Sequence, residues 1–318
     1  MLLRRGGVSL SVSCSLILAT LLFSPAWTKN DVVEKVSDNE FLNLIQTEKH
    51  VVTIFSKPNC PKCDEFEHEL AAIRETLVDS LDASIVKVVS SPLAKLYSPT
   101  LEPAIVFFRH GSPMLYHGAA NEEEILHKLN RCPEPAVKSL NDETFEHLTQ
   151  AATGATTGDW LIMFEKRTCV KSQRLQAVVE AVACELKVKM NVARVDKSND
   201  GGATGRRFGV MDTPTFILFR HGKMYRYELD TISISNLIDF ATDFYRNSKA
   251  ENVPTPKSPF DDFTEMIVEK MHENPQIVKL GSIGLSILII LAIFVTLSGK
   301  AKTVAKSNQD KKDSKKKT

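Results

Sequence analysis

The sequence has no surplus of charge. Its 318 residues carry 40 Lys and Arg against 39 Asp and Glu, a formal net charge of +1, so no broad positive field points to nucleic acid. It has no acidic run of the kind that stores calcium. It also lacks a second pair of Cys or His ligands at the spacing a tetrahedral zinc site needs. Neither a metal site nor a cofactor is expected. Asn-x-Ser/Thr sequons are absent, so glycosylation gives no hint of topology. Cysteine is scarce, six residues in all, which makes the setting of each one informative.

Two of the six stand three apart. In Phe55-Ser56-Lys57-Pro58-Asn59-Cys60-Pro61-Lys62-Cys63 an apolar run over 51–55 ends in a Cys-x-x-Cys, and a helical pattern follows at Phe66, Leu70, Ile73 and Leu77. At a helix start the first thiol gains backbone N–H donors and the positive end of the macrodipole, which favours its thiolate. Lys57 and Lys62 favour it further. Such a thiolate attacks other disulfides, and the second cysteine attacks back to release the product. A structural bridge or a metal site is the alternative for an isolated Cys-x-x-Cys. Pro103 stands before the apolar run 104–108. Together these residues resemble the thioredoxin fold, and specifically the protein disulfide isomerase family, whose active cysteines face a cis-proline. The resemblance implies Cys60 as nucleophile, Cys63 as resolving thiol and Pro103 as a substrate-docking residue. A trans proline opening an edge strand is the other reading of Pro103.

The two ends of the chain carry their own signals. Residues 1–26 read as a signal peptide: Arg4 and Arg5, an apolar core from Val8 to Phe23, then Ser24-Pro25-Ala26. A first membrane helix is the alternative. Cys14 would leave with the signal, and the remaining five cysteines leave at least one thiol free or paired with another molecule. Near the other end, Leu280 to Leu297 is uncharged and rich in Ile and Leu. As a helix it spans about 27 Å, enough for a thin membrane. The lysines from Lys300 to Lys317 place the tail in the cytosol by the positive-inside rule. Lys315 and Lys316, fourth and third from the end, resemble the dilysine retrieval signal of endoplasmic reticulum membrane proteins. A merely solvated basic tail is the alternative.

An internal repeat of about 110 residues organises the interior. His50 to Phe55 and Cys60 match Asp159 to Phe164 and Cys169. Pro103 to Gly111 match Pro214 to Gly222, each ending Arg-His-Gly, the turn of a hairpin whose partner strand is expected from Leu115 and Arg226. The fold class expected is α/β: two tandem thioredoxin-fold domains, each a mixed sheet with helices on both faces, plus one C-terminal transmembrane helix. The expected divisions are a signal peptide over 1–26, domains over 27–132 and 133–249, a proline-rich linker and juxtamembrane segment over 250–279, the span over 280–297 and the tail over 298–318.

The second repeat reads Cys169-Val170-Lys171-Ser172, without a resolving thiol. In the related family, Cys-x-x-Ser sites hold clients, so Cys169 is a candidate trap; a decayed, inert site is the alternative. Pro214, in Asp212-Thr213-Pro214-Thr215, keeps the docking motif. Cys184 lies opposite the apolar stripe of its helix and about 22 Å along it from Cys169. It is therefore read as a packed small residue, a surface thiol or an intermolecular bridge, and Cys132 is equally open. Two departures from the family stand out: Ile54 and Met163 occupy the positions of its buried carboxylate, and Asn59 that of its Trp. His110 and His221 read as surface turn residues. The expected protein is a single-pass type I membrane protein of the endoplasmic reticulum, its thioredoxin-like domains lumenal, exchanging disulfides with cysteine-containing secretory or membrane clients. The alternative is a redox-inactive client-binding chaperone or adaptor.

Overall fold

The structure, a computed structural model, describes residues 33–98, 102–154 and 157–274, with scattered positions between 276 and 291. The expected signal peptide and basic tail, with Lys315 and Lys316, lie outside the described residues, and the expected span at 280–297 does so for the most part. Among the described residues no helix is long and apolar enough to cross a membrane.

The first repeat runs β1 (Glu34–Lys35), α1 (Asp38–Thr47), β2 (His50–Ser56), α2 (Pro61–Ala72), α3 (Arg74–Leu81), β3 (Ala83–Val89), α4 (Ala94–Tyr97), β4 (Ala104–Arg109), β5 (Ser112–Leu115) and α5 (Glu122–Arg131). Its sheet has the order β1-β3-β2-β4-β5, with β2 parallel to β3 and antiparallel to β4. β2 and β4 are buried along their whole length. Strands covered on both faces read as unbroken apolar runs, which is what 51–55 and 104–108 are. Phe41 of α1 meets Phe55 and Phe108 edge-on at 5.5 and 5.3 Å, joining helix, β2 and β4 in one core. Helix starts follow local chemistry. Ser37 and Glu40 form a capping box on α1. Asn121 caps α5, which carries Glu122, Glu123 and Glu124 in its first turn and Lys128 and Arg131 in its last, in line with the macrodipole.

The second repeat runs β6 (Lys138–Leu140), α6 (Thr144–Thr149), β7 (Trp160–Glu165), α7 (Val170–Leu186), β8 (Asn191–Asp196), α8 (Gly202–Arg207), β9 (Thr215–Arg220), β10 (Lys223–Arg226), α9 (Ile234–Thr242), a short 3-10 turn (Phe244–Asn247), β11 (Glu251–Asn252) and α10 (Pro259–Glu273). The sheet order is β11-β10-β9-β7-β8-β6, with β7 parallel to β8 and antiparallel to β9. Phe145, Phe164, Phe208 and Phe219 fill its core with Trp160 and Ile217. Gly201 is required before α8, because a Cβ there would stand 2.3 Å from a methyl of Val195. The chain divides into two compact units.

Three details differ from the sequence reading. The single helical pattern from Phe66 to Leu77 is two helices, α2 and α3, broken at Ile73 with no proline to cause it. The hairpin partner strands begin at Ser112 and Lys223, earlier than expected. His110 and Gly111 have φ of 49° and 74°, and His221 and Gly222 50° and 70°. Two consecutive positive φ values make a type I′ turn, which returns the chain at once. The stretch 250–279, read as a linker and juxtamembrane segment with a short helix over Asp261 to Glu273, does hold that helix as α10, Pro259–Glu273, but it also supplies β11, paired with β10, and α10 is packed on α8. Val253 packs on the core and the Pro254 carbonyl accepts from Arg207 Nε at 2.8 Å.

Candidate active site

Cys60 is the N-cap of α2, and Pro61 opens the helix. Proline suits that position because its missing N–H would have no partner there and its φ is already helical. The Cys60 Sγ accepts from the Cys63 backbone N–H at 3.1 Å, and the two cysteines form a disulfide with their Cα atoms 5.2 Å apart. Cys60 is 6% exposed and Cys63 1%, so an incoming sulfur meets Cys60 first. Asn59, which replaces the family's Trp, has φ of 55°. Asn tolerates that left-handed conformation better than a bulky aromatic, so the replacement has a backbone reason. The Glu102–Pro103 bond is cis, and the next residue, Ala104, pairs with Phe55 on the strand leading to Cys60.

Ile54 is fully buried where the family resemblance calls for a carboxylate. Its register partner on β3 is Lys87, and Lys87 makes an ion pair with Glu67 of α2. Glu67 follows Cys63 by four residues and so shares its helix face. The sequence reading missed this carboxylate because it searched the strand. The i, i+4 spacing from Cys63 was the available signal.

The second unit repeats the frame with different chemistry. Cys169 is the N-cap of α7, and its thiol donates to the Thr213 carbonyl at 3.4 Å. The Thr213–Pro214 bond is cis, and Thr215 pairs with Phe164. Cys169 is half-buried and free. Burial pushes its thiol pKa up, but the Ser172 hydroxyl and amide, Thr213 and the Lys171 amide outweigh that and hold it below the ordinary value. The Ser172 hydroxyl is buried one helical turn from the sulfur but forms no hydrogen bond of good geometry, so its influence on Cys169 is electrostatic. Met163 is 1% exposed, so no carboxylate lies at that strand position. Two residues further along β7, Glu165 is buried beside Asp196. Loss of water raises its pKa; Arg194 and Arg167 oppose the rise and Asp196 adds to it. No cluster of His, Cys, Asp and Glu among the described residues could hold a metal ion.

The remaining cysteines require a correction. Cys132 is fully buried and Cys184 is 5% exposed, and both are disulfide-bonded. Neither is a surface thiol or a spare partner for an intermolecular bridge. The helical wheel put Cys184 off the main stripe, but α7 is buried on nearly every side, so that angle carried no exposure. His110 and His221 are exposed in the two hairpin turns.

Comparison with known proteins agrees with this geometry. A sequence profile described as "Thioredoxin-like domain" matches residues 38–132, and one described as "Thioredoxin" matches residues 136–243. Each of the two units is a thioredoxin-like domain. A "Thioredoxin domain-containing protein" of Theileria parva is 36% identical over 146 residues, 46% of this chain and 66% of that protein. Mouse "Protein disulfide-isomerase A4" is 26% identical over 206 residues, 60% of this chain and 31% of that one. The chain thus spans about two thirds of the first relative's length and under a third of the second's. A crystal structure of ERdj5 (form I) is 19% identical, with a TM-score of 0.39, over 66% of this chain and 29% of that one.

Proposed function

We propose that the protein is a thiol–disulfide oxidoreductase of the secretory pathway acting on cysteine-containing clients. The observation that carries it is the Cys60–Cys63 disulfide at the start of α2 beside the cis-Pro103 strand. In the dithiol state the Cys60 thiolate attacks a client disulfide and one client sulfur leaves as thiolate. Cys63 then attacks Cys60 in the mixed disulfide, releasing the second client sulfur and leaving the Cys60–Cys63 disulfide. Two electrons pass from protein to client; run backwards, the same steps oxidise a client dithiol. We assign the proton that Cys63 gives up to Glu67, which follows it by one helical turn and is paired with Lys87. Pro103 and Pro214 dock extended client chain, and Cys169, lacking a resolving thiol, holds clients. The location we propose is the endoplasmic reticulum membrane, with 1–26 as signal, 280–297 as the span and Lys315 and Lys316 as retrieval signal. The names of the disulfide isomerase and ERdj5 relatives support that compartment. Exposed helical Ile283, Ile287, Ile289, Ile290 and Leu291 support the span.

Burial of Ile54 and Met163 favours a second reading, a client-binding adaptor without turnover. The Cys63→Ser variant decides between them. The oxidoreductase reading expects mixed disulfides with clients to accumulate on Cys60 and turnover of a model disulfide to stop. A variant that traps nothing, with a wild-type chain that reduces nothing, leaves the adaptor.

A further inference from the structure

α10 turns its charged face into the protein. Asp262 accepts hydrogen bonds from Arg206 Nε and Nη2, each at 2.8 Å. Glu269 lies 2.9 Å from Lys197 Nζ and 3.6 Å from Arg206 Nη1. Both cations are sheltered, with the Lys197 side chain 2% and that of Arg206 14% exposed. Lys197 also donates to the Val210 carbonyl at 2.6 Å. An ionic clamp on α8 and the end of β8 therefore holds the helix, and its apolar side chains are left over.

They form a stripe. Phe260, Phe263, Ile267 and Met271 fall within an arc of about 80° at 100° per residue, on the side away from Asp262 and Glu269. They are 74%, 52%, 41% and 41% exposed. Large aromatic and aliphatic residues grouped this way on a surface mark something that covers them.

We propose that the stripe lies in the surface of a lipid bilayer with zwitterionic headgroups, as an interfacial helix. The proposal rests on the reading of 280–297 as a membrane span. Continuity carries it: only residues 274–279 separate the end of α10 from Leu280, a tether of at most about 20 Å. The apolar surface resumes at Ile283 and Ile287, both helical and more than half exposed. The helix is about 22 Å long, and seating its stripe about 5–10 Å into the headgroup boundary covers all four side chains. Charge selects the lipid. Asp262 and Glu269 are paired with Arg206 and Lys197, and Glu265 with Lys257, so the helix brings no net basic face that would call for an anionic leaflet, and a zwitterionic one suits it. The clamp then holds the second unit against the bilayer instead of leaving it loose on a tether.

The test uses the full chain in phosphatidylcholine vesicles, with Phe263→Trp, Ile267→Trp or, as control, Val188→Trp; Val188 is 90% exposed and distant in sequence from α10. Phosphatidylcholine brominated high on the acyl chain should cut the emission of the stripe tryptophans by about half or more, given a helix at the headgroup boundary, and leave the control unchanged. Carbonate extraction of the same vesicles reports on the span separately. A chain that resists carbonate but shows no quenching at 263 and 267 overturns the interfacial helix and leaves the span intact. A chain that carbonate removes, yet whose stripe is quenched while bound, keeps the helix proposal and loses the span. Stripe tryptophans that are blue-shifted without quenching, in a chain that cross-links to itself, show a second copy on the stripe and overturn the proposal.

Discussion

Replacing Ser172 with alanine isolates what makes Cys169 reactive. The hydroxyl is buried and makes no hydrogen bond of good geometry, so its loss leaves no orphaned partner and costs the fold little. It does remove one of the groups that hold the thiol pKa below the ordinary value. A well-formed hydrogen bond to a charged acceptor is worth about 1.5–3 kcal/mol, but the geometry here is poor and Cys169 is only half-buried, and solvent screening reduces that to about 0.5–1 kcal/mol. The thiolate fraction at neutral pH then falls about two- to fivefold, since about 1.4 kcal/mol is tenfold. A more basic thiolate is also a better nucleophile, with a Brønsted slope of about 0.4–0.5, which recovers roughly half of the loss. The sign of the effect therefore changes with pH. Alkylation of Cys169 should slow about twofold at neutral pH and run slightly faster than wild type at alkaline pH. The assay is iodoacetamide labelling followed by mass spectrometry across a pH series, with the three-dimensional fold checked by circular dichroism. Identical wild-type and variant curves would sink the assignment of the lowered pKa to Ser172. A uniform slowing at all pH values would show that access, and not thiolate stability, had changed.

Two further outcomes are expected. Glu67→Gln removes the carboxylate on the Cys63 face of α2 and leaves Lys87 without its ion partner; turnover of a model disulfide should fall about tenfold, as for loss of a modest general base, while labelling of Cys60 in the reduced protein stays within about twofold. Equal loss in both assays would mean that the helix itself had been disturbed. For Asp262, the Arg206 hydrogen bonds depress the folded pKa, so its contribution is fully present above the ordinary aspartate pKa of about 3.9 and is lost as pH falls through the lower folded value. Hydrogen exchange should show α10 opening in that acid range, and Arg206→Ala should open it at neutral pH by about 1–2 kcal/mol for a partly exposed bidentate pair. A helix equally protected in Arg206→Ala would remove the clamp from the account.

Legibility in the sequence followed range. The frame of each unit rests on neighbours: an apolar run before a cysteine, a proline before a strand, and an Arg-His-Gly that must turn. Those short patterns located β2, β4, β7, β9 and both candidate sites. What escaped was long-range or too short to have a period. β1 and β11 are two residues each, held by pairing to distant strands. The Glu67–Lys87 pair spans 20 residues of sequence, and the α10 clamp joins residues 56 apart at Arg206 and Asp262. Periodicity reports only that a helix has faces, not which one is covered. That is why the wheel placed Cys184 outside the stripe of a helix whose later turns are in fact buried on nearly every side, and why it gave no warning that α10 would dock by its acidic side.

One atom separates the chemistries of the two units. At the fourth position of the motif the first unit has the Cys63 sulfur and the second the Ser172 oxygen. A thiol there closes a ring with the nucleophile and ends every mixed disulfide. A hydroxyl cannot, yet its dipole near the sulfur favours the Cys169 thiolate. In the function proposed above, the same substitution favours the thiolate of the second cysteine and removes its exit. The cis-Pro214 strand and a thiol held below its ordinary pKa support the trapping reading over an inert site. In the proposed mechanism this makes the second unit the place where a client waits and the first the place where its disulfide is changed. The lifetime of a Cys169 adduct is then set by the supply of outside thiols and not by the fold.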